Sequence, residues 1–275
     1  MNAPVPPGGF SAGTQEMEPA FARPASGAGR LRRAALGLCG LLVLLVVWWV
    51  GTDLVAQPGS FARRFSPTST FVSLINLLLH SDLLIHIEVS VRRILVSLTL
   101  ALLIGVPLGI AVGSWSPLEA ATTPAFQFLR MVSPLSWMPL AVMLFGVGDR
   151  PIYVLLTLAG VWPILLSTAA GVRQLDPRWM MLARSLAATP FERLLRVIFP
   201  GIMGHILTGA RLSIGILWIV LVPCEMLGVS AGLGYFILDT RDRLAYSELM
   251  AGVLVIGMIG FLLDGVARAI CRRWS

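Results

Sequence analysis

Lysine does not occur in this sequence: all 21 basic residues are arginine. A phosphate-binding P-loop needs its lysine to reach the nucleotide phosphates. A standard Walker A site is therefore excluded, and any ATP-driven work would fall to another chain. Charge of both signs is scarce, at 13% of residues against about 25% in soluble globular chains. Cysteine is sparse and odd in number. Cys39, Cys224 and Cys271 form no CxxC pair, so neither a disulfide framework nor a cysteine-ligated metal is indicated. His80 and His86 lie six apart, which is not a ligand spacing on a helix, and His205 stands alone. Neither HExxH nor GxGxxG occurs. No catalytic, metal or cofactor-binding site is expected on this chain.

What the sequence has in abundance is apolar length. Its 275 residues are 56% hydrophobic with a mean hydropathy of +0.83. That describes an all-α, polytopic membrane helix bundle of about six spans. Residues 1–29, rich in Pro, Gly, Ala and Ser, are expected to be a disordered cytoplasmic tail. They do not read as a cleaved signal, because the basic cluster and a long apolar stretch follow them without a small-residue cleavage pattern. Residues 30–275 are expected to form the transmembrane domain.

The spans are expected at about 34–51, 94–113, 124–147, 152–172, 202–228 and 248–268. Phe71 to Leu79 is amphipathic, and is either a surface helix or an extension of the next span. Gly105, Gly109 and Gly113 form a small-xxx-small ladder suited to close helix packing. Ser114 to Thr123 is expected to be a short inner loop. The third span is irregular, with Pro124, Pro134 and Pro139 inside it, and broken helices at membrane depth belong where they line a cavity or are buried in protein. Trp162-Pro163 predicts a kink in the fourth span. The net charge of +7 fits positive-inside topology better than nucleic-acid binding. With both termini inside, thirteen arginines fall on the inner side and seven, including Arg92 and Arg93, on the outer side; Arg130 stands apart.

One loop, residues 173–200, is built to be rigid. Asp176 and Pro177 suit the N-cap and first position of a helix. Thr189, Pro190 and Glu192 form a second start with a capping box. Pro200-Gly201 is expected to end that second segment. Trp179, Leu182, Leu186, Leu194, Leu195 and Ile198 make an apolar side, and Arg178, Arg184, Arg193 and Arg196 a charged one. A loop that merely joins spans needs only polarity; this one presents a docking surface.

Within the apolar stretches, Glu225 is the most unusual residue, since an ionisable group in a span is a functional candidate by default. It either pairs with an arginine of a neighbouring span or of the Arg241 cluster, or sits hydrated at the outer mouth. Arg130 either faces a water-filled path or snorkels to the inner interface. For an anionic substrate, Arg130, Ser133, Ser136, Trp137 and Trp162 are better ligand candidates than Glu225, because like charges repel. Plain packing is the alternative role for Trp137 and Trp162, and is expected for Met138, Met143 and Met226.

The stretch from Leu182-Ala183-Arg184-Ser185-Leu186-Ala187 to Ile198-Phe199-Pro200 resembles the EAA loop of ABC importer permeases. So do Ile206 to Leu212 and Glu225-Met226-Leu227-Gly228. Ser133 to Leu140, Trp162-Pro163-Ile164-Leu165 and Ile256 to Asp264 are similar to the nitrate/sulfonate/taurine/bicarbonate subfamily. The likeness covers roughly residues 80–270. Two departures stand out: Met181 replaces the loop's usual Glu, and Ala187 its usual Gly, so the break between the two short helices is expected to come from Thr189-Pro190. The resemblance implies a type I importer fold in a bacterial inner membrane, with both termini cytoplasmic. It implies a second permease copy, a cytoplasmic ABC ATPase holding ATP and Mg, and a periplasmic or lipid-anchored binding protein. Trp179, Leu182, Ala183, Arg184, Ser185, Leu186, Ala187, Arg193 and Pro200 would meet the ATPase, and a small anion would be moved. A secondary transporter or channel working alone would instead need paired broken helices and acidic coupling residues at the midplane; no second copy of the loop is found.

Overall fold

The computed structural model describes residues 27–54, 60–80 and 83–274. Most of the expected tail, residues 1–26, lies outside the described residues; positions 27–29 open the first helix. All regular structure among the described residues is helical. The elements are α1 (Gly27–Trp49), α2 (Pro67–His80), α3 (Leu83–Ser114), α4 (Ser116–Met131), α5 (Met138–Phe145), α6 (Asp149–Arg173), α7 (Pro177–Ser185), α8 (Pro190–Arg193), α9 (Phe199–Glu225), α10 (Leu233–Asp242) and α11 (Tyr246–Trp274). Five helices are long and apolar enough to cross a membrane, and the α4–α5 pair, bent by 83°, makes a sixth when counted as one span.

The centre is a three-helix core of α3, α6 and α9. Ile94 of α3, Ile152, Leu155 and Leu156 of α6, and Leu217, Leu221 and Cys224 of α9 are all but inaccessible. In a bilayer such burial gains packing contacts rather than release from water, so close backbone approach matters most. The glycine ladder provides it. A Cβ at Gly109 would stand 2.7 Å from the Leu165 carbonyl oxygen, and one at Gly113 would stand 2.7 Å from that of Ala169. The Ser213 hydroxyl of α9 donates to the Gly160 carbonyl of α6. α2 lies against α11, with Leu74 and Leu77 packed beside Leu233, Phe236, Ala251 and Val255. α1 is exposed along its apolar length.

Three expectations give way to the structure, and the expected break in the third span is narrowed to Pro134, since Pro124 and Pro139 lie within helices. Ser114 to Thr123 is not a loop: α4 starts at Ser116, with Pro117 in its first turn, Glu119 at its positive end, and the Thr122 and Thr123 hydroxyls on the carbonyls of the preceding turn. The span break falls at Val132-Ser133, because Pro134 holds Ser133 in an extended conformation (ψ 129°). Pro200 does not end the second elbow segment. The helix runs from Pro190 to Glu225, and a π turn at Leu194–Ile198 absorbs the proline's missing N–H, with the Phe199 N–H reaching back to the Leu194 carbonyl. Met143 is 83% exposed and so does not fill the core.

Since α3 and α6 touch through backbone, widening one rung should separate them. Gly109→Val is expected to destabilise the protein by about 1–3 kcal/mol, read as a lower unfolding temperature in detergent. Gly215→Ala, where an added Cβ meets nothing within 4 Å, is expected to change stability by no more than about 0.5 kcal/mol.

Candidate functional site

Two polar constructions break the apolar bundle, one at each end of α6 and α9. The first surrounds Glu225, the last residue of α9, whose side chain is fully buried. Its carboxylate accepts hydrogen bonds from Arg93 Nη1 at 2.7 Å, from the Ser90 hydroxyl at 2.8 Å and from the Gly234 N–H at 2.9 Å. Gly234 lies in the first turn of α10, so the charge also meets the positive end of that helix. Arg93, 2% exposed, spends its other donors on the Ala231 carbonyl at 2.8 Å and on Asp149, with Nη2 2.5 Å from Oδ1. Ser90 accepts the Leu233 N–H, and His86 Nδ1 accepts that of Gly232. Gly232, at φ +123°, leaves no room for a side chain, since a Cβ would stand 2.6 Å from Arg93 Nη1.

The clamp thus ties α3, α6, α9 and the segment leading into α10. A lone buried ion costs several kcal/mol, and only a partner and full hydrogen bonding repay it. Here both conditions are met. The hydrated role open to Glu225 is excluded by its burial, and its partner is Arg93 rather than the Arg241 cluster, where Arg241 bonds Asp242. Arg93 was expected outside the span. It is instead the eleventh residue of α3, and Asp149 opens α6. Neither Arg93 nor Asp149 stood out in the sequence. The available signal was the spacing of His86, Ser90 and Arg93, which places three polar groups on one face of α3.

The second construction is the elbow between α6 and α9. Asp176 caps α7 by accepting the Arg178 N–H at 2.8 Å. Thr189 and Glu192 form the reciprocal capping box at the start of α8. The break between them is made by Ala187 as well as by Thr189-Pro190. Ala187 adopts φ +53°, the Ala188 N–H returns to the Ala183 carbonyl, and the Ala187 N–H to that of Arg184. This is a Schellman ending with alanine where glycine would be unstrained. Ala183 is buried beneath it. Trp179, Leu182, Leu186, Phe191 and Leu195 are each at least half exposed, a row of large apolar groups with no cover among the described residues. A groove of about 260 Å³ runs between Trp179, Leu182, Leu186, Glu192 and Arg196. Arg184 and Ser185 are exposed, the Ser185 hydroxyl bonding the Leu182 carbonyl. Arg193 is half-buried rather than on a rim, and Pro200 lies within the continuous helix.

The residues named for a substrate path divide. Arg130 and Trp162 line one cavity of about 440 Å³ with Leu158, Ser167, Leu212 and Ile216. Arg130 makes no hydrogen bond or ion pair among the described residues. Trp162 is further held by the Phe126 ring, 5.6 Å away. Ser133 and Ser136 are exposed at the α4–α5 break, outside this lining, and Trp137 packs against the three-helix core. Glu225 is enclosed in the clamp. No GxSxG is expected from the motif reading, yet Gly228-Val229-Ser230-Ala231-Gly232 spells one. No strand exists among the described residues to make a nucleophile elbow, and the pentapeptide forms the segment held by the clamp.

A bundle of apolar spans with one ion pair buried inside it, and an uncovered apolar elbow at one end, describes a multi-pass membrane protein. The chain belongs to the family of binding-protein-dependent transport system inner membrane components, whose profile matches residues 105–275. Within it, the chain is an ABC importer permease of the nitrate/sulfonate/taurine/bicarbonate subfamily. It is 33% identical over 247 residues to the taurine transport system permease protein TauC of Escherichia coli, covering 88% of this chain and 89% of TauC. It is 32% identical over 247 residues to the bicarbonate transport system permease protein CmpB of Synechococcus elongatus, covering 87% and 88%. The fold is that of type I importer permeases. The inward-facing MetNI methionine ABC transporter superposes with a TM-score of 0.60 at 14% identity, over 70% of this chain and 95% of that one. Such permeases are non-catalytic, and hydrolysis belongs to a separate ATPase partner.

The two constructions respond differently to substitution. Glu225→Ala would leave Arg93 buried and half-unpaired, an expected cost of about 3–5 kcal/mol. Asp149→Ala removes the solvent-facing arm, 40% exposed, for about 1 kcal/mol or less. Both are read from thermal unfolding in detergent. At the elbow, Ala187→Gly is expected to stabilise by about 1 kcal/mol by relieving the positive φ, measured as slower local hydrogen exchange across residues 183–190.

Proposed function

We propose that this chain carries a small anion through the inner membrane as one half of a paired permease, driven by an ATPase seated on the α7–α8 elbow. The observation that carries this is the uncovered apolar row Trp179, Leu182, Leu186, Phe191 and Leu195 on a backbone stiffened at both ends by caps. Rigid aromatic and aliphatic anchors within a charged surround are what a buried docking patch requires. ATP-driven closure of the motor would carry the elbow, and with it α6 and α9, as a rigid body.

The positive-inside bias puts the elbow and both termini in the cytoplasm. Withdrawing Arg93 from the outer count, because it is buried in the clamp, strengthens that bias. The anion would pass along the Arg130–Trp162 cavity, where one unpaired guanidinium lies among apolar walls. A second copy of the chain is the partner that would enclose this cavity, since an exposed arginine and a helix break beside lipid are both costly. A periplasmic or lipid-anchored binding protein would deliver the anion, as the family's description implies. Taurine, bicarbonate, nitrate and aliphatic sulfonates are named for its relatives, and one of these anion types is the expected cargo.

Leu186→Asp sets a charge in the docking row. It is expected to abolish co-purification of the ATPase while leaving membrane insertion intact; a wild-type amount of bound ATPase would overturn the assignment. Vesicles holding the complete importer are expected to take up at least one of taurine, nitrate, bicarbonate or an alkyl sulfonate with ATP. Uptake of none overturns the anion reading, and uptake by the permease alone on a sodium or proton gradient overturns the ATPase requirement.

A further inference from the structure

α6 and α9 share both of their ends. At the inner side the elbow joins Arg173 to Phe199 through residues 174–198. At the outer side α6 begins at Asp149 and α9 finishes at Glu225, and Arg93 bonds both carboxylates. The elbow, α6, the Asp149–Arg93–Glu225 bridge and α9 therefore close a frame. Its long sides are about 37–40 Å, from 25 and 27 helical residues.

The two joints of the bridge differ. On the Glu225 side, Arg93 is dry and shares its carboxylate with Ser90 and the first turn of α10. On the Asp149 side, one oxygen takes both Nε at 3.2 Å and Nη2 at 2.5 Å from a carboxylate that is 40% exposed. Asp149 also follows Gly146 and Gly148, at φ +76° and +127°, around which an added Cβ would meet nothing within 4 Å. The α5–α6 link therefore adds no side-chain packing at these two glycines, and the start of α6 is held by its buried Pro151 and Ile152 and by the Asp149 bond. Segment 226–232, between Glu225 and α10, has four backbone groups in or beside it fixed by the bridge residues and their neighbours: the Ala231 carbonyl and the Gly232, Leu233 and Gly234 N–H groups.

We propose that Arg93 is the strut that carries motion from the elbow to the outer mouth. With the bridge closed, a displacement at the inner ends of α6 and α9 must move their outer ends together, and the 226–232 segment with them. With the Asp149 joint cut, the outer end of α6 loses its bond to Arg93, and the 226–232 segment receives motion through α9 alone. Arg93 is a positioning residue in this role and touches no substrate. Lysine cannot replace it, because a single ammonium does not span two carboxylates and a carbonyl with fixed fork geometry. The proposal rests on the reading that the elbow is where the ATPase acts.

The test uses the assembled importer, permease with its ATPase, in lipid nanodiscs. Cys39, Cys224 and Cys271 are replaced by alanine. A fluorescent bimane is attached at Gln174→Cys, at the inner end of α6, or at Ser230→Cys, in the outer segment; both positions are exposed. In the otherwise native chain, Mg-ATP is expected to change the signal at both. In Asp149→Ala and in Arg93→Lys the inner response is expected to persist, while the outer response falls about threefold or more, the scale of coupling changes at residues that touch neither ligand. An outer response retained in both variants overturns the strut. So does loss of both responses together with loss of bound ATPase, which would make the bridge a folding element only. A native chain silent at the inner site but still binding ATPase would fault the elbow reading rather than the strut, and one silent only at the outer site would overturn the strut.

Discussion

A charged pair inside an apolar bundle is the constraint on which this structure turns. Glu225 and Arg93 have no water to fall back on, so every acceptor and donor they carry must find protein. That requirement recruits Ser90 from the same helix face, the carbonyl of Ala231, and the exposed N–H groups at the start of α10. It also dictates glycine at 232 and 234, where a Cβ would collide with the clamp or with the Val222 carbonyl. Much of the end of the molecule around Glu225 is arranged to keep one ion pair satisfied.

The elbow end is organised on the opposite principle. The elbow carries caps at both starts and a strained αL alanine at its break, yet leaves its largest apolar side chains in the open. Among the described residues nothing covers these side chains. The three-helix core lies between these ends. Its glycine ladder brings the backbones of α3 and α6 into close contact.

Much of this was legible from residue order. The apolar runs placed about six spans, and the two capping signatures marked the elbow to the residue. The elbow's helix starts are local events, decided by side chains two or three positions apart. The errors were local too. Pro200 reads as a stop only if the preceding turn is α-helical, and the wider π turn before it removes the conflict. Ala187 reads as helix-compatible because alanine normally is; its positive φ is imposed by the return of the chain into α8. Arg92-Arg93 reads as a loop because charge at a span end normally is.

Sequence alone determined the class of solvent, the number and rough extent of the spans, and the stiffness of the inner loop, because each follows from composition or from contacts within one turn. Only the tertiary structure decided what Glu225 is for. Its partners lie 132 residues away on Arg93 and 135 away on Ser90, and Asp149 joins from a third helix. Separation of that size leaves no periodic trace in the chain. The pairing exists because three helices pack closely enough to bring buried charges of opposite sign within hydrogen-bonding distance, in a medium where neither could stand alone.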